Sequence, residues 1–393
     1  MRAGYLVKRR DATYHFRVLI PSSHLTLRGH EIKEELLEQQ SFCTNCNSGH
    51  YEYHYYMDGL HECPRCRRAF DIDIPSWRKS VQELIEWSDI VVFQRTTDLH
   101  HLRLMREVKG MGKIVVLEAD DNYIEVPEWN TGYKYYASRR GVIEEMFRTA
   151  HGVSVTTKGL QDRYLEFNSN VVVLPNSLDL EIMDVEPKMP ELMVFGRDGK
   201  KITQERYEEI RHGKKLIGWG GSPTHQKDLE LIVGAVKRLA KRENVVFGFS
   251  GYVLKTIIEA LDDKSLVLFP LVPVTAYYSL YKTIGFDVGM APVVNCKFNE
   301  GKSNLKVMEY QALGVIPVAS DFTTYRDFIH RGYLARDEEY DWFSKLRHAL
   351  NDEDLPERVA ANRKYVEENF DIKNTVHLWE SFYQGLLDQK GSA

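Results

Sequence analysis

The sequence predicts an α/β protein built from two doubly wound, Rossmann-like domains, with a cysteine-bearing insertion in the first. Apolar, β-branched runs alternate with helical patterns, which is how parallel strands covered on both faces are written. The alternation occurs twice, on either side of a polar stretch at 186–213 that carries Pro and Gly at several points. At 393 residues there is chain enough for two domains, each with its own core.

Within residues 1–185 the expected strands are HFRVLIP (15–21), DIVVFQR (89–95), KIVVLEADD (113–121), GVSVTT (152–157) and NVVVLPN (170–176). An amphipathic segment running through Lys109 supplies a covering helix after the second of these. Residues 186–213 read as a linker. The second domain, 214–365, offers KLIGW (215–219), NVVFGFSG (244–251), SLVLFP (265–270), FDVGMAP (286–292) and VIPVAS (315–320). Two terminal helices follow, the last within 366–393. No internal repeat or low-complexity tract interrupts this order.

Composition narrows the class. Hydrophobic residues make up 43% and charged residues 28%, as in globular proteins. A net charge of -5 argues against a general polyanion-binding surface and leaves room for a local basic patch. The N-terminal stretch is charged and has no apolar core for a signal peptide. No run reaches the roughly 20 apolar residues of a membrane span, so a cytoplasmic location is expected.

The insertion, about 40–72, is expected between the first helix and the second strand. Cys43-x2-Cys46 and Cys63-x2-Cys66 bracket sixteen residues, a spacing that suits four thiolates around a structural Zn²⁺ in a zinc ribbon. Asp58-Gly59 is the expected hairpin turn. Arg65, Arg67 and Arg68 form either a solvated surface cluster or, with the neighbouring tyrosines and histidines, a grip on nucleic acid.

Two stretches of the second domain place cations where anions bind. In FNEGKSNLKVMEYQALGVIPVAS (298–320), Ser303 is the expected N-cap of a helix with Leu305, Met308 and Ala312 on its apolar stripe. Lys302 and Lys306 then flank the end at which the helix dipole favours negative charge. Each should cost a few tenths of a kcal/mol, up to about 1, unless an anion sits there. Glu309 lies one turn beyond Lys306, so an ordinary surface ion pair is the alternative. In KLIGWGGSPTHQKDLELIVGAV (215–236), Gly220 and Gly221 permit close backbone approach to a ligand. Ser222 and Pro223 make a cap and first helical position, Leu229, Ile232, Val233 and Val236 face inward, and His225 and Lys227 face whatever lies above the turn. An ordinary strand–helix turn is the alternative here. Together the two stretches suggest a diphosphate ligand.

At these stretches, and at VVVLPNSLDLE (171–181), the chain resembles the GT-B glycosyltransferases of the retaining family 4 type. The resemblance covers nearly everything outside the insertion. It is nearest to a branch of bacterial surface-polysaccharide and phage-encoded transferases, for which the location would be the host cytoplasm. It implies a nucleotide-sugar donor, a UDP- or GDP-sugar, held by the second domain facing the first. Glu309 matches the family's ribose-binding second glutamate, and Lys227 its diphosphate-binding lysine. Lys306, with the backbone of Ser303, Asn304 and Leu305, would hold the diphosphate, and Val272 falls where the base is contacted. The family's first glutamate is Gly301 here, with Glu300 one residue away, and the arginine beside the glycine turn is Ser222.

The resemblance implies transfer of a hexose or pentose with retention, without a catalytic metal, to a hydroxyl on a saccharide, lipid-linked or small-molecule acceptor. Two other readings stand beside it: transfer to hydroxylated bases of phage DNA engaged through the ribbon, and a non-catalytic nucleotide- or nucleic-acid-binding protein on a decayed GT-B fold. Asp120 and Asp121, in EADDNYIEVP (118–127), end a strand where the cleft should open. They suit orienting an acceptor hydroxyl, ahead of holding a divalent ion or capping the next segment. With His225 they are the candidate catalytic residues. His24, expected in the first strand–helix loop, reads as incidental.

Overall fold

The computed structural model describes residues 1–391 except 38–40, 43–48, 51–59, 63–68, 72–78, 186, 188, 190, 327 and 328. The first sheet has six parallel strands: β1 (Arg2–Val7), β2 (Glu31–Leu36), and, beyond the insertion, β7 (Ile90–Gln94), β8 (Ile114–Ala119), β9 (Gly152–Val155) and β10 (Val171–Val173). Their order is β10-β9-β8-β7-β1-β2. Strands β7 and β8 are buried at every position, because helices cover both faces. On one face Tyr5, Val7, Val92 and Val116 meet Phe16, Val18 and Trp379. On the other, Leu6, Val91, Phe93 and Val115 meet Leu84, Met105, Phe147 and Leu160.

The expected first strand, 15–21, is helical. A wide π-helical turn, His15–Leu19, runs into the helix Ile20–Leu27, and the first strand is β1. Phe16, Arg17, Val18 and Ile20 are all buried, and a short run buried on nearly every side shows no period that tells helix from strand. The charged segment EIKEEL forms β2, at the sheet edge, where Lys and Glu discourage pairing with another chain. The insertion accordingly follows the second strand rather than the first helix.

Two antiparallel pairs are described within the insertion: β3 (Ser41–Phe42) with β4 (Gly49–His50), and β5 (Leu60–Glu62) with β6 (Ala69–Asp71). In sequence, each pair flanks one CxxC. The expected zinc ligands Cys43, Cys46, Cys63 and Cys66, the Asp58-Gly59 turn and the three arginines lie outside the described residues. Among the described residues, no group of three or more His, Cys, Asp or Glu side chains gathers as a metal site.

The second sheet, also six parallel strands, runs β13-β12-β11-β14-β15-β16. These are β11 (Lys215–Gly221), β12 (Val245–Gly251), β13 (Leu266–Phe269), β14 (Val288–Ala291), β15 (Ile316–Ser320) and β16 (Tyr333–Ala335). The last is a short edge strand that the sequence pattern did not announce. Part of the expected linker packs on this sheet: Phe195 pairs with Leu268, and Val194, Tyr207 and Ile210 join its core. The helix Leu355–Phe370 lies against the second domain, with Arg363 donating to the Ala312 carbonyl. The chain then turns at Asp371, and the helix Ile372–Gly391 returns to the first sheet, where Tyr383 and Tyr5 share a buried hydrogen bond of 2.8 Å. No helix among the described residues is long and apolar enough to cross a membrane.

Candidate functional site

The carboxyl ends of the strands in both domains meet across a cleft. On the second-domain side, β11 ends in Gly220 and Gly221. A Cβ on Gly220 would stand 1.7 Å from the Tyr281 hydroxyl, so only glycine fits. Lys306 donates from Nζ to the Gly220 carbonyl at 2.5 Å and lies 5.2 Å above the Trp219 ring. Its helix, Leu305–Ala312, is capped at Asn304 rather than at the expected Ser303. The cause is local: the preceding turn extends to Lys302, whose N–H bonds the Asn299 carbonyl at 3.0 Å, and this delays the start. Asn304 makes no capping bond, and its buried Nδ2 has no partner among the described residues.

Lys302 reaches across the cleft, its Nζ 3.4 Å from Asp121 Oδ2 and 4.8 Å over the Phe298 ring. Burial lowers the pKa of Lys302, but the charges of Asp121 and Asp228 outweigh it and hold the ammonium above its ordinary value. Lys306 goes the other way. Burial, helped by Lys302, pushes it down against the opposing pull of Glu309 and Asp228. Glu309 is buried, and that burial raises its carboxyl despite Lys306 and the hydroxyls of Tyr277 and Tyr278. Glu309 is thus buried and Lys306 half-buried, with only a longer-range attraction between them, so they do not form the surface ion pair that was the alternative.

His225 closes the floor. Its Nδ1 lies 2.8 Å from Asp228 Oδ2, which fixes the ring proton on Nδ1 and leaves Nε2 a lone pair. Burial holds the imidazole below its usual pKa, and the charges of Lys302 and Lys306 add to that against Asp228. The other oxygen of Asp228 accepts from the Val294 N–H at 2.9 Å, tying the glycine turn to the loop after β14. Ser222 begins the tight turn Pro223–His225 and shares a hydrogen bond with Thr224. Lys227 pairs with Glu230 on its own helix at 2.8 Å, with its side chain 45% exposed. Val272, partly buried, packs against the core of the second domain. The single helix expected here is two, Gln226–Glu230 and Val233–Arg242, and of its inward-facing residues Leu229, Ile232 and Val236 are fully buried and Val233 only partly.

On the first-domain side, Asp120 is saturated. Thr13 donates to Oδ2 at 2.9 Å, Tyr123 donates to Oδ1, and Arg95 Nε stands 3.4 Å away. Burial pushes Asp120 up, but Arg95 and the two hydroxyls outweigh it, so the carboxylate stays below its ordinary value. Asp121 moves upward, by burial first and then the charge of Asp120, with Lys302 opposing. Adjacent carboxylates with opposite shifts are suited to different tasks. Arg95 is the one non-glycine with positive φ among the described residues, at 55°, and its guanidinium also pairs with Asp11 at 2.8 Å. Beside it, Asp98 is shared by Lys8 and Arg139, and Lys8 donates to the Tyr135 hydroxyl at 2.6 Å. Sequence reasoning missed Lys8, Arg95, Asp98 and Asp228. The available signal was position, since the first three follow the carboxyl ends of β1 and β7. His24 lies within the helix Ile20–Leu27 and pairs with Asp179 at 2.8 Å.

Direct contacts fasten the two sides together. The Thr157 hydroxyl donates to the Gly301 carbonyl at 3.0 Å and Asn122 Nδ2 to the Lys297 carbonyl at 3.3 Å. A Cβ on Gly301 would stand 2.4 Å from Leu160, and one on Gly159 would stand 2.3 Å from the Glu300 carbonyl. Position 301 therefore holds glycine because the first domain occupies the space a side chain would need. Glu300 itself points to solvent, with its backbone in the contact.

No family model and no curated protein matches this sequence. Solved structures do. A glycosyltransferase from Rickettsia africae superposes with a TM-score of 0.65 at 15% identity over 98% of both chains. Sucrose-phosphate synthase from Thermosynechococcus elongatus gives 0.64 at 10% identity over 99% of this chain and 100% of that one. Anabaena HepE, in complex with UDP and glucose, gives 0.63 at 12% identity over 100% of both. With two six-stranded parallel sheets facing each other at their strand ends, the chain has the two-domain fold of the GT-B glycosyltransferases.

Proposed function

We propose that this protein is a glycosyltransferase that moves a sugar, with retention, from a nucleotide-sugar to a hydroxyl acceptor such as a saccharide. The observation that carries the reading is the meeting of Lys302 and Lys306 with the Gly220–Gly221 turn at one strand end, opposite Asp121 of the other domain. Two ammonium groups, the free N–H groups of a helix start and a side-chain-free turn suit a diphosphate. HepE, in which the same fold holds UDP and glucose, supports that choice.

In this reading Lys302 and Lys306 stabilise charge on the departing diphosphate, while Glu309 and Val272 lie towards the nucleoside. His225, neutral and fixed by Asp228, offers Nε2 to a hydroxyl of the donor sugar. Asp120 and Arg95 build the acceptor floor and Asp121 receives the acceptor hydroxyl. Orientation and charge stabilisation supply the catalysis, so no nucleophile is needed. A structural Zn²⁺ on the four cysteines belongs to the same proposal, and metal analysis of the purified protein before and after chelation tests it. Transfer to DNA would draw on Arg65, Arg67 and Arg68, and no described contact favours it over a saccharide.

Thermal unfolding of the purified protein against UDP, GDP, ADP, CMP and their sugar conjugates tests the central claim. A ligand at about 100 times its Kd should stabilise the fold by about 2.7 kcal/mol, and one nucleoside diphosphate should stand out. No shift with any of them would favour the non-catalytic alternative.

A further inference from the structure

Lys302 sits beside Lys306 at the start of one helix, yet its carboxylate partner, Asp121, belongs to the other domain. That partner is half-served. Asp121 Oδ2 faces the ammonium at 3.4 Å, while Oδ1 is buried with no partner among the described residues. Asp120, its neighbour, has both oxygens engaged. A diphosphate at the helix start would therefore meet a cation already in use, and Asp121 would lose its partner to it.

We propose that Asp121 and the donor diphosphate compete for Lys302, so that donor binding releases Asp121 to take the acceptor hydroxyl. This rests on the glycosyltransferase reading above. The backbone around the pair is pinned by Thr157 on Gly301, Asn122 on Lys297 and the close packing of Gly159 on Glu300. The exchange is then a swing of one flexible lysine side chain, with the domains held where they are. Asp228 helps, because its charge also reaches Lys302 and offers the ammonium a second attraction on the donor side. The pairing neutralises Lys302 before the donor arrives and frees a carboxylate only after it has bound.

Calorimetric titration tests this, using the nucleoside diphosphate that stabilises the wild type, UDP first. Asp121→Asn removes the competing charge and keeps the shape, so it should bind about fivefold more tightly. Lys302→Met should bind about tenfold more weakly, and in that background Asp121→Asn should change nothing. Asp121→Ser serves as a second variant if the first fails to fold. An unchanged or weaker affinity in Asp121→Asn overturns the competition. So does an equal gain in the absence of Lys302, which would make Asp121 a general negative charge in the cleft. A wild type that binds no nucleoside diphosphate overturns the functional reading itself, which is a different result.

Discussion

Lys306 is a half-buried cation held on a backbone carbonyl and over an indole ring, and it is the residue through which the site is best tested. Replacing it with Met removes a charge whose desolvation the fold must offset, so the free protein should unfold at the same temperature or higher. Nucleoside diphosphate binding should fall at least about tenfold, the loss of roughly one charge-assisted contact. Equal destabilisation with unchanged binding would make Lys306 structural. Glu118 gives a second test, through pH. Burial lifts its carboxyl from 4.5 to about 7, although Arg17 Nε lies 2.6 Å away. The folded chain then keeps a proton that the unfolded chain releases, so stability falls as pH rises from about 4.5 to about 7. The contribution is about 3 kcal/mol, and Glu118→Gln should remove it when denaturant stability is compared at pH 5 and pH 8. At this scale the sequence revealed what has a local rule behind it. Two lysines at the wrong end of a helix, and two aspartates at a strand end, could be seen without coordinates. Arg95 offered only its position after a strand, its partner Asp11 lying 84 residues away, and the tie from Asp228 to the Val294 N–H, 66 residues on, had no local sign.

Among the elements, strands buried on both faces were the legible ones: β7, β8, β12, β14 and β15 all lie within the runs that predicted them, and β11 runs on past its run into the glycines expected as a turn. Segment 15–21 failed because it is buried under the C-terminal helix as well as on the sheet, and β2 because an edge strand is written in charges. Residues 297–304, the short helix Lys297–Glu300 and the turn after it, were visible as the approach to a helix start, but their packing against the first domain was not. That packing can be tested at Gly159. An alanine there would press on the Glu300 carbonyl from 2.3 Å. Forced to shift, the interface should lose about 1–3 kcal/mol, and small-angle scattering should show a wider chain. An unaltered scattering profile with full stability would mean the loop gives way easily.

For the whole molecule, the sequence divided the chain into two similar halves, and the structure joins them again at the end. Trp379, Phe382 and Tyr383 complete the core of the first sheet from the far terminus. Residues 1–185 made alone should therefore stay unfolded or aggregate, since three large aromatic faces are missing, each worth about 1.5–3 kcal/mol. Adding a peptide spanning 372–391 should restore cooperative unfolding followed by circular dichroism. A stable fragment without the peptide would show that the helix is an accessory. The return crossing also sets an order of events during synthesis. The N-terminal half leaves the ribosome first, but its sheet cannot be closed until the helix Ile372–Gly391, some two hundred residues further on, has also cleared the exit tunnel. The second half can therefore close before the first, and until the helix arrives the apolar face of the first sheet stays open to aggregation.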